Sequence, residues 1–251
     1  MAPTDYLLHL ADSALVLGQR NAEWCGHGPV LEEDIAMANT SLDLVGQARL
    51  LYQLAAERLG GGATEDSLAY FRDAPAFRNH TLLELPHHGP LVGYAHAELD
   101  YATTVVRQFL YSALMVQVWD TLQTHPDTDL AAIAAKSVKE TRYHLRHSRA
   151  WLVRFGDGTA VSHARAQAAL DHLLPYTQAF WTPVPEGWLD TLALRPGWDT
   201  LVDDALAEAT LTRPPAGGYV PLGHLGQHSE HLGYLLAEMQ SLARAHPHAT
   251  W

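Results

Sequence analysis

The sequence predicts an all-α protein, built as a bundle of long helices with additional shorter ones. Apolar residues recur at intervals of three and four along several long segments, and no segment shows the alternation of a β-strand. Proline and glycine are concentrated between these segments. Of the 251 residues, 47% are hydrophobic, which is enough for a substantial core, and we expect a single domain over residues 1–251.

The first two helices are predicted over residues 5–22 and about 31–59. Acidic side chains occupy the first turn of the second helix, where the helix dipole favours negative charge, and three glycines follow its end. Its apolar residues at helical spacing are Ile35, Ala38, Leu42, Val45, Tyr52, Ala56 and Leu59. The two helices are separated by a short segment that contains Gly26, Gly28 and Pro29.

Residues 61–90 contain several prolines and predict a long connection with short helical pieces, such as 64–72. A third helix, about 91–124, and a fourth, about 128–155, are joined by a three-residue turn, so we expect antiparallel neighbours. Further helices are predicted at about 162–181, 197–212 and 222–245. A long crossover between the second and third helices is typical of a ferritin-like long four-helix bundle, and this is the fold class that we predict.

The composition excludes several functions. The net charge of −12 argues against nucleic-acid binding, which requires lysine and arginine to neutralise phosphates. The single cysteine, Cys25, allows no intrachain disulfide. No apolar run reaches the length of a membrane span, and the first residues do not resemble a signal peptide. We therefore expect a cytoplasmic protein with no nucleic-acid or membrane partner.

A di-iron site in such a bundle needs about six protein ligands, among them two Glu-x-x-His pairs whose spacing places both side chains on one helix face. Only one of the 16 histidines follows a glutamate by three residues, in Glu84-Leu85-Pro86-His87. Pro86 makes a regular helix improbable there, and the required second pair does not exist. The sequence therefore predicts no metal, no cofactor and no catalytic residue in this chain.

Two segments look like a ligand region that has lost its histidines. In the second helix, Asp43 is followed by Gln47, and we interpret Asp43 as an acid paired with an arginine inside the bundle. In the fourth helix, Glu140 is followed by Tyr143 at the expected histidine position and by His144 one residue later. We interpret Glu140 and His144 as a polar pair, with adventitious metal binding as the alternative.

The last predicted helix contains His228 and His231, three residues apart. Two imidazoles on one helix face can bind zinc, but zinc needs further ligands. We interpret this pair as part of an interface or of a capping cluster, again with adventitious metal binding as the alternative.

The fourth helix also carries a basic stripe at spacings of three and four, formed by Lys136, Lys139, Arg142, Arg146 and Arg149. One interpretation is a solvated face with intramolecular salt bridges. The other is a docking surface for an acidic partner, or for an anionic cofactor such as the phosphates of coenzyme A.

Six segments together carry a family resemblance: LGQR (17–20), EWCGH (23–27), LDLVGQAR (42–49), KETRYHLR (139–146), HSEHLG (228–233) and AEMQ (237–240). In this combination and order the chain resembles the C subunits of bacterial phenylacetyl-CoA epoxidase, also called ring 1,2-phenylacetyl-CoA oxygenase. The resemblance implies a ferritin-like, non-catalytic subunit beside a homologous A subunit, which holds the di-iron centre and binds phenylacetyl-CoA.

The same resemblance implies a larger assembly, served by a reductase, which epoxidises the aromatic ring with NADPH and O2 during aerobic phenylacetate breakdown. We also expect self-association within that assembly. Two alternatives remain open at this point. One is an active di-iron enzyme with unusual ligands drawn from Asp43, Glu98, Glu140 and His144, and the other is a free-standing homodimeric binding protein.

Overall fold

The computed structural model describes residues 1–88, 99–215, 217–247 and 249, and over these residues the protein is all-α. The α-helices are α1 (Thr4–Ala22), α2 (Leu31–Leu59), α3 (Glu65–Tyr70), α4 (Tyr101–Leu122), α5 (Thr128–Gly156), α6 (Ala160–Leu173), α7 (Arg195–Glu208) and α8 (Glu230–Ala245). Short 3-10 turns lie at Ala74–Ala76, Thr81–Glu84, Leu174–Trp181, Thr191–Leu194 and Gly223–Leu225. The predicted all-α class is confirmed and agrees with a ferritin-like protein.

The chain divides into two compact units, Met1–Leu85 with Pro221–Trp251, and Pro86–Val220. Within the described ranges, no helix combines the length and the apolar character that a membrane crossing requires.

In the first unit, α1 is buried over most of its length and packs along α2. The two helices approach closely at Gly18, where an added Cβ would lie 3.3 Å from side-chain atoms of both Leu44 and Val45. Helix α2 has the predicted bounds and ends at Gly60, whose φ of +63° lies in the left-handed region that glycine adopts at low cost. Helices α3 and α8 complete this unit.

In the second unit, α4 is buried along most of its length and packs against α5 and α6. The predicted third helix begins near residue 91, but residues 89–98 lie outside the described part of the chain. Helix α4 begins at Tyr101, because the Asp100 side chain accepts a hydrogen bond from the backbone N–H of Ala102 at 2.8 Å and so caps the helix. The prediction that one helix runs through residues 99 and 100 is therefore wrong.

Two other predicted helices are shorter than expected. The α-helical part of the predicted helix 162–181 ends at Leu173 and continues as a 3-10 turn, because Pro175 has no backbone N–H to donate. The last helix is predicted from about residue 222 but begins at Glu230. The Ser229 hydroxyl caps it by accepting from the backbone N–H of His231 at 3.3 Å.

Candidate functional site

The α5 part of the eroded ligand region, by which we mean Asp43 and Gln47 on α2 with Glu140, Tyr143 and His144 on α5, has contacts within its own helix. The Glu140 carboxylate lies 3.8 Å from the ammonium group of Lys136, one turn earlier on the same helix. Tyr143, which stands at the expected histidine position, is exposed, and its ring stacks on His147 and lies under the guanidinium of Arg146. His144 is buried. Glu140 and Tyr143 therefore do not form a pair of side chains aimed at one metal.

On α2, the structure places Gln47 in the interior and leaves Asp43 half-buried. Glutamine is a weak substitute for an anionic or imidazole ligand of iron. The arginine partner that we expected for Asp43 stays a prediction. Across residues 1–88, 99–215, 217–247 and 249, no three histidine, cysteine or acidic side chains are grouped so that they could hold a metal ion. Glu98, which the alternative of an active di-iron enzyme includes, lies outside the described residues, and the described residues by themselves do not provide the ligand set of a di-iron centre.

The basic stripe on α5 contacts acidic side chains of its own unit. Lys136 pairs with Glu140, Arg142 with Asp120 at 2.6 Å, and Arg149 with Glu208 at 2.6 Å. These pairs match the interpretation of a solvated face with intramolecular salt bridges. A shallow groove of about 530 Å³ nevertheless runs along the stripe, lined by Arg142, Leu145, Arg146, Arg149, Ala150, Val153, Arg154 and Glu208. A docking role for the stripe stays a prediction.

The Glu84–His87 motif is not a ligand pair on a helix, as expected from Pro86. Glu84 ends the 3-10 turn Thr81–Glu84 and is fully buried. Its carboxylate accepts hydrogen bonds from the backbone N–H of Ser229 at 2.7 Å and from the Asn79 amide at 3.2 Å, and contacts His228 Nδ1 at 3.0 Å. Glu84 is thus a structural acid that fixes the start of α8.

These contacts also correct the interpretation of His228 and His231 as a pair on one helix. His228 precedes α8, and its other ring nitrogen lies 3.0 Å from the carbonyl of Phe77. Burial lowers the pKa of His231, which lies inside the first turn of α8. The capping interpretation is therefore the better description, because Ser229 caps α8 and the Glu84 carboxylate holds both the backbone N–H of Ser229 and the ring of His228 just before the helix.

A second buried acid, Asp12 on α1, was not singled out from the sequence. Its carboxylate accepts hydrogen bonds from the Tyr52 hydroxyl at 2.5 Å, from the backbone N–H of Arg78 at 2.7 Å, and from the Arg72 guanidinium. Burial by itself would lower the pKa of Arg72, but the charge and hydrogen bonds of Asp12, together with those of Tyr52, outweigh burial and raise this pKa. Burial, with Asp12 nearby, also raises the pKa of Tyr52. This group ties α1, α2 and the segment after α3 together.

A third feature is a cluster of three buried histidines in the same unit, His9, His80 and His224. The ring centroids lie 4.7 Å apart for His9 and His80, and 6.1 Å apart for His80 and His224. His9 Nδ1 donates to the carbonyl of Arg78 at 2.7 Å. Burial lowers the pKa of His9 to about 4, and it also lowers the pKa of His80 and of His224. The cluster is therefore neutral at physiological pH.

The sequence contained a signal for these buried groups that spacing rules did not use. His9 and Asp12 stand inside the apolar run Leu7-Leu8-His9-Leu10-Ala11-Asp12 at the start of α1. Titratable side chains within such a run are seldom buried without partners. Their partners come from residues 52–80 and 224, which are distant in the sequence, so no local pattern identifies them.

Comparison with known proteins gives the same family as the resemblance that the sequence carries. The whole chain, residues 1–251, matches the family model described as phenylacetic acid catabolic protein. The chain is 43% identical over 256 residues to the C subunit of the 1,2-phenylacetyl-CoA epoxidase of Escherichia coli (strain K12). The match covers 99% of this chain and 98% of that protein. This chain therefore belongs to the phenylacetic acid catabolic protein family.

Proposed function

We propose that this chain is a structural, non-catalytic subunit of a phenylacetyl-CoA epoxidase. In this proposal it supports a homologous subunit that holds the di-iron centre and binds phenylacetyl-CoA. The observation that carries the proposal is the near full-length match, at 43% identity, to a protein named as the C subunit of that enzyme. The reaction of the assembly is the NADPH- and O2-dependent epoxidation of the aromatic ring.

The chemistry of the eroded site supports a non-catalytic role. A carboxylate-bridged di-iron centre requires several carboxylates and two imidazoles that converge between helices. Here the carboxylate of Glu140 lies 3.8 Å from the ammonium group of Lys136, and Tyr143, at the expected histidine position, is exposed. On α2, the buried side chain near Asp43 is the amide of Gln47, not an imidazole. Two buried acids of the described residues have structural partners. Asp12 binds the Tyr52 hydroxyl, the Arg72 guanidinium and a backbone N–H, and Glu84 binds the Asn79 amide, the His228 ring and a backbone N–H.

The contribution of this chain is then a rigid helical surface against which the catalytic subunit is held in its active form. Because no catalytic residue or cofactor is assigned to this chain, the proton transfers and redox steps belong to the partner and to the reductase. Self-association within the larger assembly and a cytoplasmic location are part of the same proposal.

The test combines metal analysis with reconstitution. This chain alone, the catalytic subunit alone and the two together are each loaded with Fe(II) under argon, and bound iron is measured. Epoxidase activity is then assayed in each with the reductase, NADPH and O2. We expect iron only where the catalytic subunit is present, and activity only when both chains are present.

The variant Glu140→Ala, with Lys136→Ala as the matched control, separates this proposal from an active di-iron enzyme with unusual ligands. Both variants are expected to support activity within about twofold of the wild type, because neither side chain takes part in a transition state. Stoichiometric iron in the isolated chain, lost together with turnover in Glu140→Ala alone, would refute the proposal.

A further inference from the structure

The first half of α2 carries an apolar stripe that is exposed to solvent. Leu31 is 72% exposed, Ile35 52%, Leu42 69% and Val45 40%, and Ala38 lies half-buried among them. The opposite side of the same helix is covered, since Met37, Leu44 and Leu51 are buried. A surface helix of a globular protein normally has one apolar face, turned to the core, and a polar face towards water. Helix α2 therefore has a second apolar face over residues 31–45. The described residues of its own unit cover this face only in part, at Val45, which lies beside Gly18 of α1.

The spacing of this stripe matches that of a helix that packs against another helix. Successive members are separated by four, three, four and three residues, which is the heptad pattern of helices that cross at a shallow angle. The stripe extends over about 21 Å of helix at a rise of 1.5 Å per residue. Gly46, next to Val45, faces open space, because an added Cβ there would have no heavy atom within 4 Å. A small residue at this position allows a second helix to approach closely.

The exposure of these side chains is unfavourable in water. Soluble proteins rarely leave contiguous apolar patches of more than a few hundred Å² uncovered unless the patch is an interaction site. Scattered single apolar residues need no such explanation, but five residues in register along one helix face do. Since the pattern specifies a helix, the natural occupant is a helical protein.

The charges favour a different chain over a second copy. The first turn of α2 places acidic groups beside the stripe, because Glu32 is exposed and Asp34 is half-buried. Beyond the other end of the stripe, Arg49 is paired with Glu65 at 3.0 Å. In paired helices, charges beside the apolar seam select a partner of opposite charge. The net charge of −12 also makes two copies of this chain repel each other.

We propose that this α2 stripe is the docking site for a helix of the catalytic subunit of the epoxidase. That helix would carry an apolar heptad seam flanked by lysine or arginine. The proposal rests on the proposed function and adds the surface by which the two subunits meet. It assigns a role to Leu31, Ile35, Ala38, Leu42 and Val45, none of which is among the candidate ligands or in the basic stripe.

The experiment measures the affinity of the full-length chain for the purified catalytic subunit of the same host. The stripe variants are Leu42→Glu and the milder Leu42→Ala. The matched control is Leu242→Glu, because Leu242 is also an exposed helical leucine, 55% exposed, on α8 of the same unit. Circular dichroism before and after heating verifies that each variant is folded, and the exposure of Leu42 makes loss of folding improbable.

We expect Leu42→Glu to weaken binding by about 100-fold or more, because a carboxylate would be buried without a partner in an apolar contact. Leu42→Ala is expected to weaken it by about tenfold, and Leu242→Glu by less than about threefold. Binding is also expected to weaken with added salt, as charge pairing across an interface requires.

Three results would overturn the docking proposal. Wild-type affinity in both Leu42 variants would show that the catalytic subunit binds elsewhere, and the proposed function would remain intact. A homodimer of the wild-type chain that Leu42→Glu dissociates, without any effect on binding to the catalytic subunit, would assign the stripe to a second copy. A wild-type chain that binds no catalytic subunit and takes up stoichiometric iron would overturn both proposals together.

Discussion

The buried histidine cluster predicts that the first unit loses stability in acid. The pKa of His9 is lowered by burial from the ordinary value of 6.5 to about 4. An unfolded chain therefore takes up a proton at His9 near pH 6.5, whereas the folded chain resists it until about pH 4. Because the unfolded state binds more protons in this window, the free energy of unfolding falls as the pH falls through it.

The size of the effect follows from the pKa shift. At about pH 5 the unfolded state is protonated at His9 and the folded state is largely neutral, which destabilises the fold by about 2 kcal/mol relative to neutral pH. His80 and His224 act in the same direction, since burial lowers the pKa of each. A charge on one ring also opposes a charge on the next, because the centroids of His9 and His80 are 4.7 Å apart.

The assay is urea unfolding followed by circular dichroism at about pH 7.5 and about pH 5, for the wild type and for His9→Asn. Asparagine removes the titrating group, and its amide can still donate a hydrogen bond to the carbonyl of Arg78 from the position of Nδ1. His27→Asn is the control, because His27 is exposed in the turn before α2.

The quantity to compare is the loss of unfolding free energy between about pH 7.5 and about pH 5, in each variant and in the wild type. Between the two pH values, His9→Asn should lose about 2 kcal/mol less unfolding free energy than the wild type, whatever its stability at neutral pH. His27→Asn should follow the wild type. Equal acid losses in the wild type and His9→Asn would show that the folded protein protonates His9 without cost, and the reasoning from burial would be wrong.

Three other outcomes are expected. Asp12→Ala should lower the free energy of unfolding by about 3–5 kcal/mol, because it leaves the largely buried guanidinium of Arg72 without its carboxylate. A loss below about 1 kcal/mol in a urea titration would contradict this. Gly156→Ala should destabilise the protein by more than about 3 kcal/mol, because the added Cβ would lie 1.9 Å from a backbone carbonyl oxygen. Gly233→Ala, where the added Cβ meets open space, should instead stabilise α8 by roughly 0.8 kcal/mol, and thermal unfolding of both variants tests the contrast. If the groove on the basic stripe binds a partner or coenzyme A, Arg146→Glu should weaken that binding by about tenfold in low salt, and unchanged affinity would leave the stripe as a solvated face.

Helix positions were largely predictable because their signals are local. The acidic first turn and the terminal glycines gave the bounds of α2, Leu31–Leu59, without error. The predicted starts of α4 and α8 were wrong because Asp100 and Ser229 cap these helices. The sequence pattern does not distinguish a capping residue from a polar residue inside the helix. Capping depends on the backbone conformation of the cap residue, which the neighbouring elements impose.

The candidate site was predictable only in part. Counting Glu-x-x-His pairs predicts that a di-iron ligand set is missing, and this stays a prediction. The structure adds that the Glu140 carboxylate lies near Lys136 and that the Tyr143 ring lies under Arg146. The structural use of Glu84 could not be predicted, because its carboxylate binds Asn79 nearby but also Ser229 and His228, more than 140 residues later. Partners at such distances are brought together only by tertiary folding.

The sequence by itself determined the helical class, the bounds of α2 and α5 and the family. Each of these depends on spacing along one segment or on the order of segments. The tertiary structure decided which apolar face of each helix is covered. Ile35, Leu42, Val45, Tyr52 and Ala56 share one helical spacing, yet the last two are buried and the first three are exposed. Periodicity shows which side chains lie on the same face of a helix, but only the packing of other elements shows whether that face meets the core or water.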